Sequence, residues 1–150
     1  MTSKEEHVRE EIHRRLAGEA EVHIQRCGRV FVKVPREDLK KVASMLSRDM
    51  GVTHISDITA RDTGKGLEAL FHFFHNGIEI TVRTSCPYDD PWLDSIVGIF
   101  PGAVLYEREY KDMLGIEPAG HPDPRRILLT DDWVEGFPLR KDWKPTRGVG

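Results

Sequence analysis

The chain has 150 residues, of which 39% are hydrophobic and 31% are charged, and its formal net charge is −3. This length and composition predict one globular domain with a real hydrophobic core and exclude a globally disordered chain. The small net charge, mixed in sign, gives no reason to expect binding to nucleic acid or to an acidic membrane surface. The charged N-terminus lacks an apolar signal core, and no stretch approaches the roughly 20 apolar residues of a membrane span. We therefore expect any association with a membrane to occur through partner proteins.

The first half of the chain predicts a helix, two strands and a second helix. Apolar residues four positions apart indicate an amphipathic helix over about residues 4–17. Two short strands of alternating polarity follow, with a turn around Cys27-Gly28. Pro35 opens the next helix, where its missing N–H is not needed, and Gly51 is a natural terminator.

Three more strands are predicted in the middle of the chain. One covers about residues 52–59. The next two, residues 67–75 and 78–84, alternate in polarity and flank Asn76-Gly77. This dipeptide is favoured in type I′ turns because both turn residues need a positive φ, so the two strands form a hairpin.

Beyond Pro87 the pattern predicts two further helices, over residues 92–100 and 104–114. The order of elements indicates an α+β fold, with a mixed, largely antiparallel sheet of about five strands and helices packed on it. We assign residues 1–115 to this globular domain and residues 116–150 to an extended C-terminal arm.

The C-terminal arm combines many prolines with large apolar residues. Its prolines prevent a long helix and a central strand. Its apolar side chains nevertheless need to be covered; they are Ile127, Leu128, Leu129, Trp133, Phe137, Leu139 and Trp143. Four arginines are interleaved with them: Arg125, Arg126, Arg140 and Arg147. The arm either wraps its own domain or lies across another protein, and we favour docking because Trp and Arg are frequent interface hot spots.

Few residues are available to hold a metal or a cluster. The chain has two cysteines, Cys27 and Cys86. A disulfide scaffold would need more, and an iron–sulfur cluster or a structural zinc usually needs about four ligands. His121 has no second histidine nearby and makes a poor metal site. We expect two reduced thiols and no cofactor in this chain.

Three motifs resemble one known family. Residues 107–116 read EREYKDMLGI, residues 120–128 read GHPDPRRIL, and residues 138–143 read PLRKDW. Together they are similar to the signature of the thirty-kilodalton subunit of respiratory complex I. The same family supplies a subunit of the membrane-bound (group 4) nickel–iron hydrogenases. The resemblance is dense over the last third of the chain, whereas the earlier part agrees only in the order of elements.

The resemblance implies a cofactor-free subunit of a membrane-bound, energy-converting oxidoreductase. Such a subunit braces the large catalytic subunit, which houses a quinone site or a nickel–iron site, and lies near the small iron–sulfur subunit. Iron–sulfur clusters then belong to the neighbours, and the chain lies on the cytoplasmic side of the membrane. There are two departures: Gly136-Phe137-Pro138 replaces Gly-His-Pro, and the Gly-Tyr continuation after Trp143 is missing. The second favours the hydrogenase-type or related ferredoxin-linked complexes.

The resemblance also implies which residues contact the partner. Read from spacing alone, Glu107–Lys111 and Arg108–Asp112 are i,i+4 pairs on an ordinary charged helix face. Within a family motif beside a docking segment, such charges suit ion pairs between subunits. The expected docking residues are Glu107, Arg108, Glu109, Asp112, His121, Asp123, Arg125, Arg126, Trp133, Phe137, Arg140, Lys141, Asp142 and Trp143.

Two other hypotheses stay open at this point. The chain could be a stand-alone hydrolase in which His121 acts with Asp123 or Glu109. It could also be a soluble adaptor of unrelated function that uses the same arm. Turnover abolished by a substitution of His121 would support the hydrolase, and the metal content of the partner would separate the adaptor from the oxidoreductase subunit.

Overall fold

A computed structural model gives the structure of residues 3–16, 20–26 and 28–144. The described residues form three α-helices: α1 (Lys4–Arg15), α2 (Leu39–Arg48) and α3 (Val104–Leu114). Their strands are β1 (Glu21–Arg26), β2 (Arg29–Lys33), β3 (His54–Asp62), β4 (Leu67–His75), β5 (Ile78–Cys86), β6 (Trp92–Asp94) and β7 (Glu117–Ala119). Short 3-10 turns, Arg36–Asp38 and Pro101–Ala103, lead into α2 and α3. In this described part of the chain, no helix has the length and apolar character needed to cross a bilayer.

Five strands form the main sheet, in the order β1-β2-β5-β4-β3. Strands β2 and β5 are parallel, and the other three neighbouring pairs are antiparallel. Apolar side chains from the three helices pack with those of one sheet face in a single core. The structure thus confirms the predicted α+β fold with a mixed, largely antiparallel sheet.

The hairpin of β4 and β5 and the helix α3 follow their predictions closely. Asn76 and Gly77 both have positive φ, 50° and 81°, as a type I′ turn requires. Their neighbours His75 and Ile78 form the first pair of the hairpin. Helix α3 has the predicted bounds and ends at Gly115, whose φ of 76° is the left-handed conformation typical of a helix C-terminus.

The helix predicted over residues 92–100 is wrong. Trp92–Asp94 is instead strand β6, which pairs in parallel with β7. The residues after it form turns, and the backbone N–H of Ile96 donates to the carboxylate of Glu107 on α3. Both partners come from later in the chain, so local periodicity cannot reveal them.

The boundary after residue 115 also needs correction. Ile116 is fully buried in the core, and β7 pairs with β6 of the globular domain. His121 is buried as well. The globular part therefore continues through residue 121, and the C-terminal arm is described from residue 122 to residue 144.

Candidate docking surface

Helix α3 presents two sets of side chains. Glu107, Tyr110 and Leu114 are spaced three or four residues apart and point into the core, where each is buried. Arg108 and Lys111 lie on the other side and bind the C-terminal arm. The motif over residues 107–116 thus connects the core of the domain to the arm.

Glu107 is a core residue rather than a surface charge. Its side chain has no exposed area, and it accepts hydrogen bonds from Ser95 Oγ (3.0 Å) and from the N–H of Ile96 (3.2 and 3.3 Å). Burial raises the pKa of Glu107 to about 7, although these hydrogen bonds oppose the increase. The expected i,i+4 pair with Lys111 is therefore not formed.

Cations of α3 bind three successive carbonyl groups at the start of the arm. Lys111 Nζ donates to the carbonyl of Pro124 (3.2 Å) and lies 3.4 Å from the carboxylate of Glu117. Arg108 donates from Nε to the carbonyl of Arg125 (2.7 Å) and from Nη2 to that of Arg126 (2.8 Å). Arg108 is thus bound to the chain's own arm and not to Asp112, the partner that the i,i+4 spacing predicts.

Asp112 binds the next three residues of the arm through their backbone N–H groups. Its Oδ2 accepts from Ile127 (2.8 Å), Leu128 (2.9 Å) and Leu129 (3.3 Å). Successive N–H groups that converge on one carboxylate form an anion-binding nest. Six consecutive residues of the arm, 124–129, therefore have a backbone group satisfied by a charged side chain of α3, which allows them to be ordered without a helix or a strand.

The second half of the arm packs on the end of α3. The ring of Phe137 lies against Gly115, where an added Cβ would come within 2.5 Å of it. Leu139 donates its N–H to the carbonyl of Met113 (3.0 Å). Arg140 donates from Nε to the carbonyl of Leu114 (2.7 Å), and its guanidinium lies 4.7 Å from the centre of the Phe137 ring.

The side chains of Trp133 and Trp143 stabilise the loop that runs between them. The rings of Trp133 and Trp143 stack with centroids 6.3 Å apart, and both side chains are half-buried. Trp133 donates from its indole N–H to the carbonyl of Gly136 (2.8 Å), and Trp143 donates to the carbonyl of Glu135. Asp142, another expected docking residue, is exposed beside Trp143. The loop between the tryptophans is thereby fixed by its own side chains.

The domain leaves much of the arm's apolar surface uncovered. Among the described residues eight large apolar side chains are exposed, and five of them lie on the arm: Ile127 (37%), Leu128 (56%), Val134 (90%), Phe137 (37%) and Leu139 (57%). A groove of about 520 Å³ lies beside them, between the arm and the end of α3. We call these five side chains the apolar strip; they form the candidate docking surface.

The residues considered for hydrolysis are not arranged for it. His121 donates from Nε2 to the carbonyl of Val104 (3.0 Å), while its Nδ1 accepts from the N–H of Asp123 (2.9 Å). The Asp123 carboxylate forms two 2.8 Å hydrogen bonds with Arg125 instead, and these hold the pKa of Asp123 below its ordinary value. Glu109 is exposed on α3. His121 thus anchors the start of the arm, and both of its ring nitrogens are occupied.

The described part of the chain contains no group of three or more His, Cys, Asp or Glu residues placed to hold a metal ion. Cys86 is a free, buried cysteine, and burial raises the pKa of its thiol. Cys27 lies outside the described residues, as does Arg147.

Asp62 belongs to the candidate site although no sequence motif includes it. Its carboxylate accepts the N–H of Lys141 at 2.9 Å, so the end of β3 is tied to the end of the arm. The two residues are 79 positions apart, and nothing in the local sequence marks Asp62 as more than a polar residue before a turn.

Comparison with known proteins supports the motif resemblance. The chain is 36% identical over 129 residues to the C subunit of the NADH-quinone oxidoreductase of Geobacter metallireducens, a match that covers 82% of this chain and 78% of the relative. It is 34% identical over 122 residues to the beta subunit of the membrane-bound hydrogenase of Pyrococcus furiosus, which covers 77% and 70% of the two chains. A chain in the solved structure of the membrane-bound sulfane sulfur reductase, an archaeal respiratory membrane complex, superposes with a TM-score of 0.77. That match covers 95% of this chain and 86% of the other, and at 23% identity it shows a shared fold.

The family assignment extends well beyond the three motifs. Residues 32–149 match the family described as "Respiratory-chain NADH dehydrogenase, 30 Kd subunit". The match includes strands β3, β4 and β5 of the main sheet, helix α3 and the arm, and it confirms the predicted resemblance. The chain belongs to the family of the 30 kDa subunit of respiratory-chain NADH dehydrogenase.

Proposed function

We propose that the chain is a cofactor-free subunit of a membrane-bound, complex-I-related energy-converting oxidoreductase, and that its arm braces the large catalytic subunit. It is not an enzyme by itself. The observation that carries this proposal is the apolar strip, five exposed apolar side chains on a segment whose backbone is bound by charged groups of α3. An ordered backbone with uncovered apolar side chains is suited to binding another protein.

The energetics favour docking over a purely intramolecular role. Burying a whole Leu or Val side chain contributes roughly 1.5–3 kcal/mol, so covering the exposed part of each residue in the strip contributes on the order of 1 kcal/mol. The arm is ordered before it binds, which reduces the conformational entropy lost on association. The chain's own domain gains nothing from leaving these side chains in water.

The partner that we propose is the large catalytic subunit, with the small iron–sulfur subunit nearby. Iron–sulfur clusters, and a nickel–iron or quinone site, then belong to those neighbours, and membrane attachment on the cytoplasmic side comes through them. Subunits of a quinone-type complex and of a hydrogenase are both among the relatives, at 36% and 34% identity, so identity does not separate the two versions. Phe137, which stands where complex I members commonly have histidine, packs on Gly115.

We expect Val134→Asp to weaken assembly at least tenfold without changing the fold. Val134 is 90% exposed, so the variant loses almost no contact in the free chain. In a closed interface the same carboxylate would be buried without a partner, which costs well over the 1.4 kcal/mol that corresponds to a factor of ten. The measurement is the iron, nickel and large subunit that an affinity-tagged chain recovers from cells producing the whole complex.

Phe74→Asp is the matched control. Phe74 is 51% exposed, lies at the end of β4 away from the arm, and receives the same new charge. Full recovery of the complex with Phe74→Asp and loss with Val134→Asp would support docking through the arm. Equal recovery with both variants, at unchanged thermal stability, would reject it.

A further inference from the structure

Asp62 is a nearly buried carboxylate with three donors directed at it. Its Oδ1 accepts from the Tyr88 hydroxyl and from the N–H of Gly64 (2.9 Å), and its Oδ2 accepts from the N–H of Lys141 (2.9 Å). Two of these donors belong to the globular domain, while the third belongs to the arm. One side chain therefore joins the end of the sheet to the end of the arm.

The negative charge of the Asp62 carboxylate strengthens its hydrogen bonds to the domain and to the arm. Burial raises the pKa of the Asp62 carboxyl, but the hydrogen bonds from its three donors outweigh that effect and keep the pKa below its ordinary value. Hydrogen bonds to a charged acceptor are stronger than those between neutral groups. Asp62 is thus held in the ionised form that accepts all three hydrogen bonds.

Lys141 lies beside residues that fix the position of the loop before it. Arg140, next to Lys141, donates to the carbonyl of Leu114. Trp143 donates to the carbonyl of Glu135, in the loop between the two tryptophans. Val134, the most exposed residue of the strip, is the neighbour of that Glu135. A shift at Lys141 would therefore move the loop that carries Val134.

We propose that Asp62 is a positioning residue for docking: its carboxylate fixes the end of the C-terminal arm and thereby the geometry of the apolar strip. That this positioning serves docking rests on the proposed function, whereas the positioning itself is a property of the free chain. No motif includes Asp62, and the contact that carries its role crosses from the edge strand β3 to the last turns of the arm.

The test is Asp62→Asn in the full chain. Asparagine has one acceptor oxygen, so its amide NH₂ must face either Lys141 or the donors on the other side. We expect hydrogen exchange of the Lys141 amide to become about tenfold faster, because its hydrogen bond to a charged acceptor is either lost or replaced by a weaker one to a neutral oxygen. Trypsin cleavage in the segment 140–144 should accelerate similarly. Asp57→Asn, an exposed aspartate on the same strand, should change neither rate.

A second variant separates the Lys141 contact of Asp62 from its Tyr88 contact. Tyr88→Phe removes the hydroxyl donor but leaves the Lys141 contact in place, so the Lys141 amide should keep its protection. Unchanged exchange in Asp62→Asn would overturn the inference. Should that variant not fold, the wild-type chain decides, since a Lys141 amide that exchanges as fast as an unstructured one would overturn it equally and a protected one would support it.

The docking measurement distinguishes the two proposals. A rigid arm in Asp62→Asn would reject positioning by Asp62 and leave docking through the arm intact. A loosened arm with full recovery of the complex would show that the geometry fixed by Asp62 is not needed for docking, and Val134→Asp would then decide whether the arm docks. A loosened arm with recovery reduced by about tenfold or more would support both, since that factor corresponds to 1.4 kcal/mol of lost binding energy.

Discussion

Gly115→Ala is expected to expel the arm from the end of α3 and to destabilise the domain at the same time. A Cβ at this position would lie 2.5 and 2.7 Å from two ring atoms of Phe137 and 2.8 Å from Nη2 of Arg140. Real Cβ contacts are longer than this, so the ring of Phe137 and the guanidinium of Arg140, or the helix end, must move. Alanine with a positive φ also costs about 1 kcal/mol, and φ is 76° at this position.

Gly51→Ala is the control for the conformational cost of placing alanine at a positive φ. Gly51 follows α2 with a φ of 71°, and a Cβ there would meet nothing within 4 Å. Both variants therefore share the conformational cost, and the difference between them measures the clash with the arm. We expect Gly115→Ala to lower Tm by several degrees more than Gly51→Ala, since 1 kcal/mol corresponds to roughly 2–4 °C for a chain of this length.

The arm itself gives a second signal in this comparison. Two of the three tryptophans, Trp133 and Trp143, lie on the arm, so its displacement should shift the fluorescence emission to longer wavelength. Gly51→Ala should leave the emission unchanged. Identical Tm and emission for the two variants would show that Phe137 does not rest on Gly115, and the packing of the arm on α3 would then be wrong.

The parts of the fold that sequence could predict are those determined by neighbours in the chain. The hairpin depends on Asn76-Gly77 and on alternation within two adjacent strands, and α3 depends on its own periodicity and on Gly115. Strand β6 was not predicted because its partner β7 comes more than twenty residues later, and apolar residues at 93, 96 and 100 fit a helix equally well. A pattern of three or four residues cannot distinguish these alternatives when a distant strand decides between them.

The candidate site also contains features that depend on distant parts of the chain and that local sequence cannot predict. Sequence singled out α3 and the arm, and it predicted that the charges of α3 contact another protein. Arg108 and Asp112 instead bind backbone groups of residues 125–129 of their own chain. An i,i+4 pair, an ion pair between subunits and a bond to a later backbone segment all need the same residue types at the same spacing. Spacing alone therefore cannot choose among them. The structure adds the exposed apolar strip to exposed charges such as Glu109 and Asp142.

We expect the contribution of Glu107 to folding stability to decrease as the pH rises. Most carboxylates in folded proteins contribute with the opposite sign. The pKa of Glu107 is raised to about 7 in the folded chain from an ordinary value of 4.5, because burial penalises the charged form. Between these two values the folded chain binds a proton at Glu107 that the unfolded chain has released. Stability from this group is therefore fully present below pH 4.5 and declines as the pH rises to about 7, by about 3 kcal/mol in total.

Glu107→Gln removes this titration while keeping the shape of the side chain. Its amide oxygen can still accept the N–H of Ile96, and its NH₂ can donate to Ser95 Oγ. We expect the free energy of unfolding, measured with urea, to be similar for the variant and the wild type at about pH 4.5, and to favour the variant by about 3 kcal/mol at about pH 8. Taking the difference between the two chains cancels the contributions of the titratable groups that they share.

Glu109→Gln is the matched control, because Glu109 is an exposed glutamate two residues away on the same helix. Its difference from the wild type measures what a Glu→Gln substitution does at an exposed position of this helix. A difference that does not change with pH for Glu107→Gln would mean that Glu107 is ionised throughout in the folded chain. The buried carboxyl would then be a charge stabilised by its hydrogen bonds from Ser95 and Ile96, and burial would not be the dominant influence on the residue that links α3 to the loop after β6.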